Sequence, residues 1–372
     1  MMHSRKKITV YILLISLIFC GCSNNSLNES SVTSENIKNE VQAKSKYIKL
    51  EGVNYNKWYY SQITSDKNRK IYEEIETALL KKQECIELKN ADTEIVKKLF
   101  KMVLYDRPDI FYVNTYQYTV SSDSNIVVMP IYIMDNDKIN DAFREIDTYC
   151  DMALSTISSD MTTFEKEKSI YDYIVSNTEY SLESEYNQSM YSVVLGNSVC
   201  LGYSKMFQYL CNMIDIPCTI VTGLNKEGIG HAWNAVYIEN NWYMVDCTNG
   251  GGSACNNSEV NYYYFNVTRK QILRSFAINN LVQVPECDSI DSEFYYHNGL
   301  YFDSADIDRY TSIISGYTNK KMITVRASNE QVLNSLYRQL IEDRKIYTLI
   351  ENCYQLEYSK DTETLILQIK WN

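Results

Sequence analysis

Cys200 stands in the run Gly196-Asn197-Ser198-Val199-Cys200-Leu201-Gly202-Tyr203-Ser204. Tyr203, Met206, Phe207, Leu210, Cys211 and Ile214 recur there at helical spacing. That spacing predicts a buried helix opening just before the cysteine, with Asn197 or Ser198 as its cap. A thiol in the first turn of a helix faces unpaired backbone N–H groups and the positive end of the dipole, which favour thiolate over thiol. The same N–H groups can hold the oxyanion formed when a thiolate attacks a carbonyl. Taken alone, a buried cysteine is more often inert packing. A nucleophile needs a base.

The chain has only three histidines. His3 lies in the N-terminal leader. His297 sits in Phe294-Tyr295-Tyr296-His297-Asn298-Gly299 without acidic or cysteine companions. His231 opens an alternating segment, Gly230-His231-Ala232-Trp233-Asn234, and Trp242-Tyr243-Met244-Val245-Asp246 follows it. A hairpin over 232–246 turning on Glu239-Asn240 pairs Trp233 with Asp246 and His231 with Thr248. His231 and Asp246 are then diagonal neighbours on one sheet face, within reach of each other's side chains. A three-residue turn would put them on opposite faces. An aspartate accepting from one imidazole nitrogen fixes the tautomer and leaves the other nitrogen for the thiol. Helix-start cysteine, strand histidine and next-strand aspartate thus compose a triad for thiol acyl transfer.

Three ordered blocks then carry a resemblance. Val199-Cys200-Leu201-Gly202-Tyr203 comes first, Ile216-Pro217-Cys218 with Val221-Thr222-Gly223 second. Gly230-His231-Ala232-Trp233-Asn234 with Trp242-Tyr243-Met244-Val245-Asp246-Cys247-Thr248 is third. Together they resemble the core of the transglutaminase-like superfamily. The resemblance implies a papain-like α+β fold, with a cysteine-bearing helix packed on an antiparallel sheet that carries the histidine and aspartate. It implies Cys200 as nucleophile, His231 as general base and acid, and Asp246 as the orienting acid. Tyr171-Asp172-Tyr173-Ile174 and Tyr180 are similar to the helix and tyrosine that often precede this core, and Tyr264-Phe265-Asn266-Val267 to the strand that follows it. Two positions depart from the family pattern. Leu201 stands where members commonly carry a polar residue, often Gln, and Asn249 where they often carry Trp.

Around this core the chain divides by pattern. Arg5-Lys6-Lys7, the apolar run Ile8–Phe19 and Cys20-Gly21-Cys22 resemble a bacterial lipoprotein signal, with Gly21 preceding a lipidated Cys22. The alternative is an uncleaved N-terminal anchor, and either places the body on the extracytoplasmic face of the bacterial membrane. The expected units are a signal over 1–21, a polar tether over 22–45 and an N-terminal α+β unit over 46–160. A catalytic core over 161–270 and a C-terminal α/β unit over 271–372 follow. In the N-terminal unit, helices around 71–79 and 95–104 precede extended runs at 111–120 and 126–134 and a helix at 137–155. Thr162 with Glu165 reads as a capping box opening a helix through about 176. The last unit reads as a strand at 322–327, a helix opened by Ser328 with Gln331, and strands near 354–358 and 364–371.

Composition closes off other classes. With 45% hydrophobic and 13% aromatic residues the chain has enough apolar surface to fold. A net charge of −11 opposes nucleic-acid binding, which demands a basic face. Eleven cysteines show no Cys-x-x-Cys spacing, and one usable histidine is too few for common zinc sites, so no metal or cofactor is expected. Cys247 with Cys255 is a conceivable short-range disulfide. The 33 tyrosines read as half-buried packing. The expected protein is a membrane-anchored cysteine enzyme forming a thioester at amide or peptide carbonyls, on protein or peptide substrates that include cell-wall-associated ones. Amine acceptors would make it a transglutaminase, water a peptidase or amidase. The alternative is a surface adhesion or assembly module that keeps the fold without turnover.

Overall fold

The computed structural model describes residues 53–121, 125–251, 260–317, 321–350 and 355–372. The expected signal, tether and Cys22 lie outside them, as does Cys255. No helix among the described residues is long and apolar enough to cross a membrane.

The helix Cys200–Met213 is the pivot of the fold, and every residue from Cys200 to Asn212 is buried. A helix that is mostly apolar on all sides must be surrounded. It packs on one face of a four-stranded antiparallel sheet, ordered Asn241–Val245, Gly230–Ile238, Cys218–Asn225 and Phe276–Ile278. The hairpin turns on Glu239 and Asn240, both with positive φ (46° and 67°), as a two-residue turn with the twist of its flanking strands requires. Its register pairs Asn234 with Val245 and Ile238 with Asn241, in the frame expected from the two-residue turn. Val221, Trp233, Ala235, Met244, Val267 and Ile272 form a smaller apolar cluster.

Gly223 sits opposite His231 in this sheet. A Cβ there would collide with the Trp233 indole and the Ala277 carbonyl, so only glycine lets strand Phe276–Ile278 close on the sheet. Tyr264–Val267 does not form the strand expected after the core. Asn266 takes a positive φ of 57°, which breaks the extended path, and only a bridge between Val267 and Met244 remains.

Helix Thr163–Asn177 opens with the expected capping box between Thr162 and Glu165. The N-terminal segment supplies helices Asp66–Leu80, Thr93–Asp106 and Asn136–Leu154, and a three-stranded sheet of Ile86–Leu88, Ile126–Tyr132 and Val113–Val120. Its apolar side chains merge with those of the Cys200 helix in one continuous core. The C-terminal residues have a separate core on a sheet ordered Tyr301–Phe302, Met322–Ala327, Ile366–Trp371 and Leu356–Asp361. Helix Glu330–Tyr337 there is capped by Asn329 rather than Ser328, because Asn329 Oδ1 accepts from the Val332 amide at 3.0 Å.

Candidate active site

The Cys200 helix is capped one residue past Ser198 and two past Asn197, the caps expected for it. Asn197 and Ser198 pair in parallel with Glu179 and Tyr180, which commits their backbone to a strand. The Ser198 hydroxyl contacts Ser192 Oγ at 2.6 Å and donates to the Asn187 carbonyl at 3.1 Å. Val199 is therefore the N-cap, with no side-chain acceptor to offer. The first intrahelical bond runs from the Gly202 amide to the Val199 carbonyl at 3.0 Å. The amides of Cys200 and Leu201 precede that bond, at the end of a helix where donors are in surplus. Gly202 allows the close fit, since a Cβ there would fall on Ser198 Oγ and the carbonyls of Ser189 and Asn187.

His231 reaches the site from the first residues of its strand. Its Nε2 lies 2.7 Å from Asp246 Oδ2, and the Cys200 side chain is near enough to act on the same ring. With Nε2 held by the carboxylate, Nδ1 is the nitrogen left for the thiol. Asn234 locks strand to helix, donating through Nδ2 to the Ser204 carbonyl at 2.9 Å. The sequence-derived trio is thus brought together.

Asp246 is fully buried and accepts three bonds. Besides His231, the Thr248 amide donates to Oδ1 at 2.9 Å and Asn249 Nδ2 to Oδ2 at 2.7 Å. Burial pushes its carboxyl up, but the His231 charge and these donors hold it below the ordinary carboxylate value. For His231, burial works to lower the pKa. The Asp246 charge, its hydrogen bond and the neighbouring Cys200 side chain overcome that and push it up to about 10. The geometry therefore favours an imidazolium poised between a carboxylate and a sulfur.

Two contributors were not singled out from the sequence. Asn249 appeared only as a departure from the family pattern. The short 3-10 turn Thr248–Gly250 swings its amide back onto Asp246, and Asn261 Nδ2 donates to the Asn249 carbonyl at 2.9 Å to hold the turn. Phe276 stacks on the His231 ring, with centroids 4.7 Å apart and planes 17° from parallel. It comes from a strand 45 residues downstream, in a segment that reads as part of the next unit. The Tyr191 hydroxyl donates to Glu145 Oε2 at 2.7 Å.

Among the described residues every cysteine is a free thiol, and no group of three or more His, Cys, Asp and Glu side chains is placed to hold a metal.

Residues 151–247 match the family model of the transglutaminase-like superfamily, a span that contains all three residues. Kyphoscoliosis peptidase of Mus musculus is 23% identical over 192 residues, which cover 44% of this chain and 29% of the relative. Kyphoscoliosis peptidase of Homo sapiens is 27% identical over 138 residues, covering 30% of this chain and 21% of the relative. The matches span less than a third of these curated relatives. A solved crystal structure of a TGase is similar over 37% of this chain and 44% of its own, at 16% identity and a TM-score of 0.27. The stretch matched by this family model holds both the Cys200 helix and the His231–Asp246 hairpin on which it packs.

Proposed function

We propose that this protein is a cysteine enzyme that transfers acyl groups from amide or peptide carbonyls through a thioester on Cys200. The observation that carries the reading is the 2.7 Å bond from His231 Nε2 to a buried Asp246, with the Cys200 side chain acting on the same ring. The Cys200 sulfur attacks the carbonyl carbon, and the oxyanion is held by amides of the helix start. His231 gives its proton to the departing amine as the C–N bond breaks, leaving the acyl group on sulfur. An incoming water or amine then loses its proton to His231 as it attacks the thioester, and the thiolate leaves. Asp246 stays ionised throughout and keeps the ring aligned. The relatives named as peptidases favour water as the acceptor. The leader pattern ending at Cys22 supports a lipid anchor on the extracytoplasmic face, with protein or peptide substrates outside the membrane.

The test is iodoacetamide labelling of the purified protein across pH 5–9 with mapping of modified sites, followed by a glutamine peptide with a labelled amine. Fast, His231-dependent alkylation of Cys200, and product formation that Cys200→Ala abolishes, are expected. Transfer is distinguished from hydrolysis by whether the amine or water ends in the product. A Cys200 that alkylates like an ordinary thiol, unchanged by loss of His231, would sink the enzyme reading in favour of a surface module.

A further inference from the structure

A cavity of about 70 Å³ lies between the Cys200 helix, helix Thr93–Asp106 and the segment 185–189. Leu201 and Lys205, one turn apart on the Cys200 helix, form part of its wall, with Lys101, Tyr105, Glu185 and Gln188 among the others. The cavity lies along the first turns of the helix that carries the nucleophile, since Leu201, the residue after Cys200, lines it.

Lys205 is the anomaly. It is 5% exposed, in a helix buried on all sides. No carboxylate or carbonyl among the described residues accepts from its amine, and burial, with no acid to offset it, pulls its pKa down to about 8. A desolvated ammonium without a partner is costly, so it persists where something outside the fold completes it. The Tyr105 hydroxyl, equally buried, also finds no partner among the described residues. Lys101 lies over the Tyr105 ring at 5.4 Å and burial lowers its pKa to about 8 as well. The volume is that of roughly two water molecules, which is the size of a carboxylate.

We infer that this cavity is a substrate subsite that receives a carboxylate, held by Lys205 and the Tyr105 hydroxyl, next to the carbonyl that Cys200 attacks. It rests on the acyl-transfer reading and adds the substrate class: acyl donors with a negative charge near the reacting bond. The shared chemistry fits an acidic side chain or a free chain terminus. Leu201, apolar where the family commonly has a polar residue, leaves Lys205 as the group that selects.

The experiment measures equilibrium binding to Cys200→Ala protein, so that thiol reactivity plays no part. Three probes are titrated: N-acetyl-glutamine amide, N-acetyl-glutamate α-amide, and N-acetyl-glutamine with a free α-carboxylate. At least one carboxylate probe should bind about 10-fold tighter than the neutral one, as charge-assisted pairing in a dry site implies. Which of the two wins names the source of the charge. The preference should vanish in Lys205→Met, which replaces a buried charge by an apolar chain of similar length, and shrink in Tyr105→Phe, which removes one oxygen. Equal affinities, absence of binding by all three, or a preference undiminished in Lys205→Met would overturn the subsite. Alkylation of wild-type Cys200 judges the enzyme reading separately. Selective binding with a sluggish thiol rejects the chemistry and keeps the pocket, and a fast thiol without selectivity does the reverse.

Discussion

Two fully buried aspartates, one in the N-terminal segment and one at the candidate active site, each accept three hydrogen bonds and end in opposite states. Asp106 accepts from the amides of Tyr59 and Tyr60 at 3.0 and 2.8 Å and from the Tyr72 hydroxyl at 2.9 Å. Asp246 accepts from the Thr248 amide, Asn249 and His231. Burial pushes Asp106 up to about 7 despite its donors, whereas Asp246 is held below its ordinary value. The number of hydrogen bonds is equal, so it cannot be the cause. A cation in direct contact is what differs. Asp106 feels only the charge of Lys57, the smallest of the influences on it, while His231 touches Asp246. A carboxylate that pins backbone can tolerate protonation, but one that must hold an imidazolium cannot.

The comparison breaks most sharply at Asp246→Asn. A neutral amide keeps the shape but no longer fixes the proton on Nε2 or stabilises the imidazolium. Turnover is expected to fall on the order of 10³–10⁴-fold, with Cys200 alkylation slowing in parallel. Asp106→Asn, assayed alongside, should leave turnover within about twofold, since its bonds go to Tyr59, Tyr60 and Tyr72. A large loss in both variants would mean that the two aspartates do not differ in role.

A smaller effect tests the donors alone. Asn249→Ala removes one of the three bonds to Asp246 and leaves the cation in place. A hydrogen bond to a charged group contributes about 1.5–3 kcal/mol at most, and His231 already compensates the carboxylate. Steady-state turnover should therefore drop by about 10-fold, far less than for Asp246→Asn. Equal losses would show that donor count, not the imidazolium, governs the site.

How much of this was legible depends on the range of each contact. Cys200, His231 and Asp246 could be ordered from sequence because each opens or closes a periodic segment. Glu239-Asn240 set the hairpin frame because a two-residue turn leaves no choice of face. Ser198 was misread as a cap because its pairing with Tyr180 is a tertiary contact that local spacing does not encode. Asn249 could have been found by noting that a residue three beyond a strand-end aspartate can fold back on it. Phe276 had no local signal, since it meets His231 only once its strand joins the sheet. Lys205 is hidden differently. It stands in an otherwise apolar helical run, where a lysine reads as a solvated edge, and only the packing around the whole helix shows it enclosed.

The mildest contrast is in the pH dependence of stability. Asp106 has a folded pKa raised from 3.8 to about 7, so its contribution is fully present below about 4 and is lost as pH rises through 7. His231 is raised from 6.5 to about 10, so its contribution is complete below about 6.5 and is lost as pH climbs towards 10. Asp246 is depressed, so its share is present above its unfolded pKa and fails only as pH falls through the lower folded value. Between pH 4 and 6.5 the triad's contribution is accordingly flat while that of Asp106 declines. Thermal unfolding of the wild type, Asp106→Asn and Asp246→Asn across pH 4–9 separates the two. The wild type should lose stability against Asp106→Asn by up to about 4 kcal/mol from pH 4 to 8, one pKa unit corresponding to 1.36 kcal/mol. Its difference from Asp246→Asn should hold steady to about pH 6.5 and narrow only above it. Parallel curves for the two variants would mean that the imidazolium does not set the aspartates apart. A wild-type-minus-Asp106→Asn difference that stays flat between pH 4 and 7 would place a cation against Asp106 and remove the distinction between the two carboxylates.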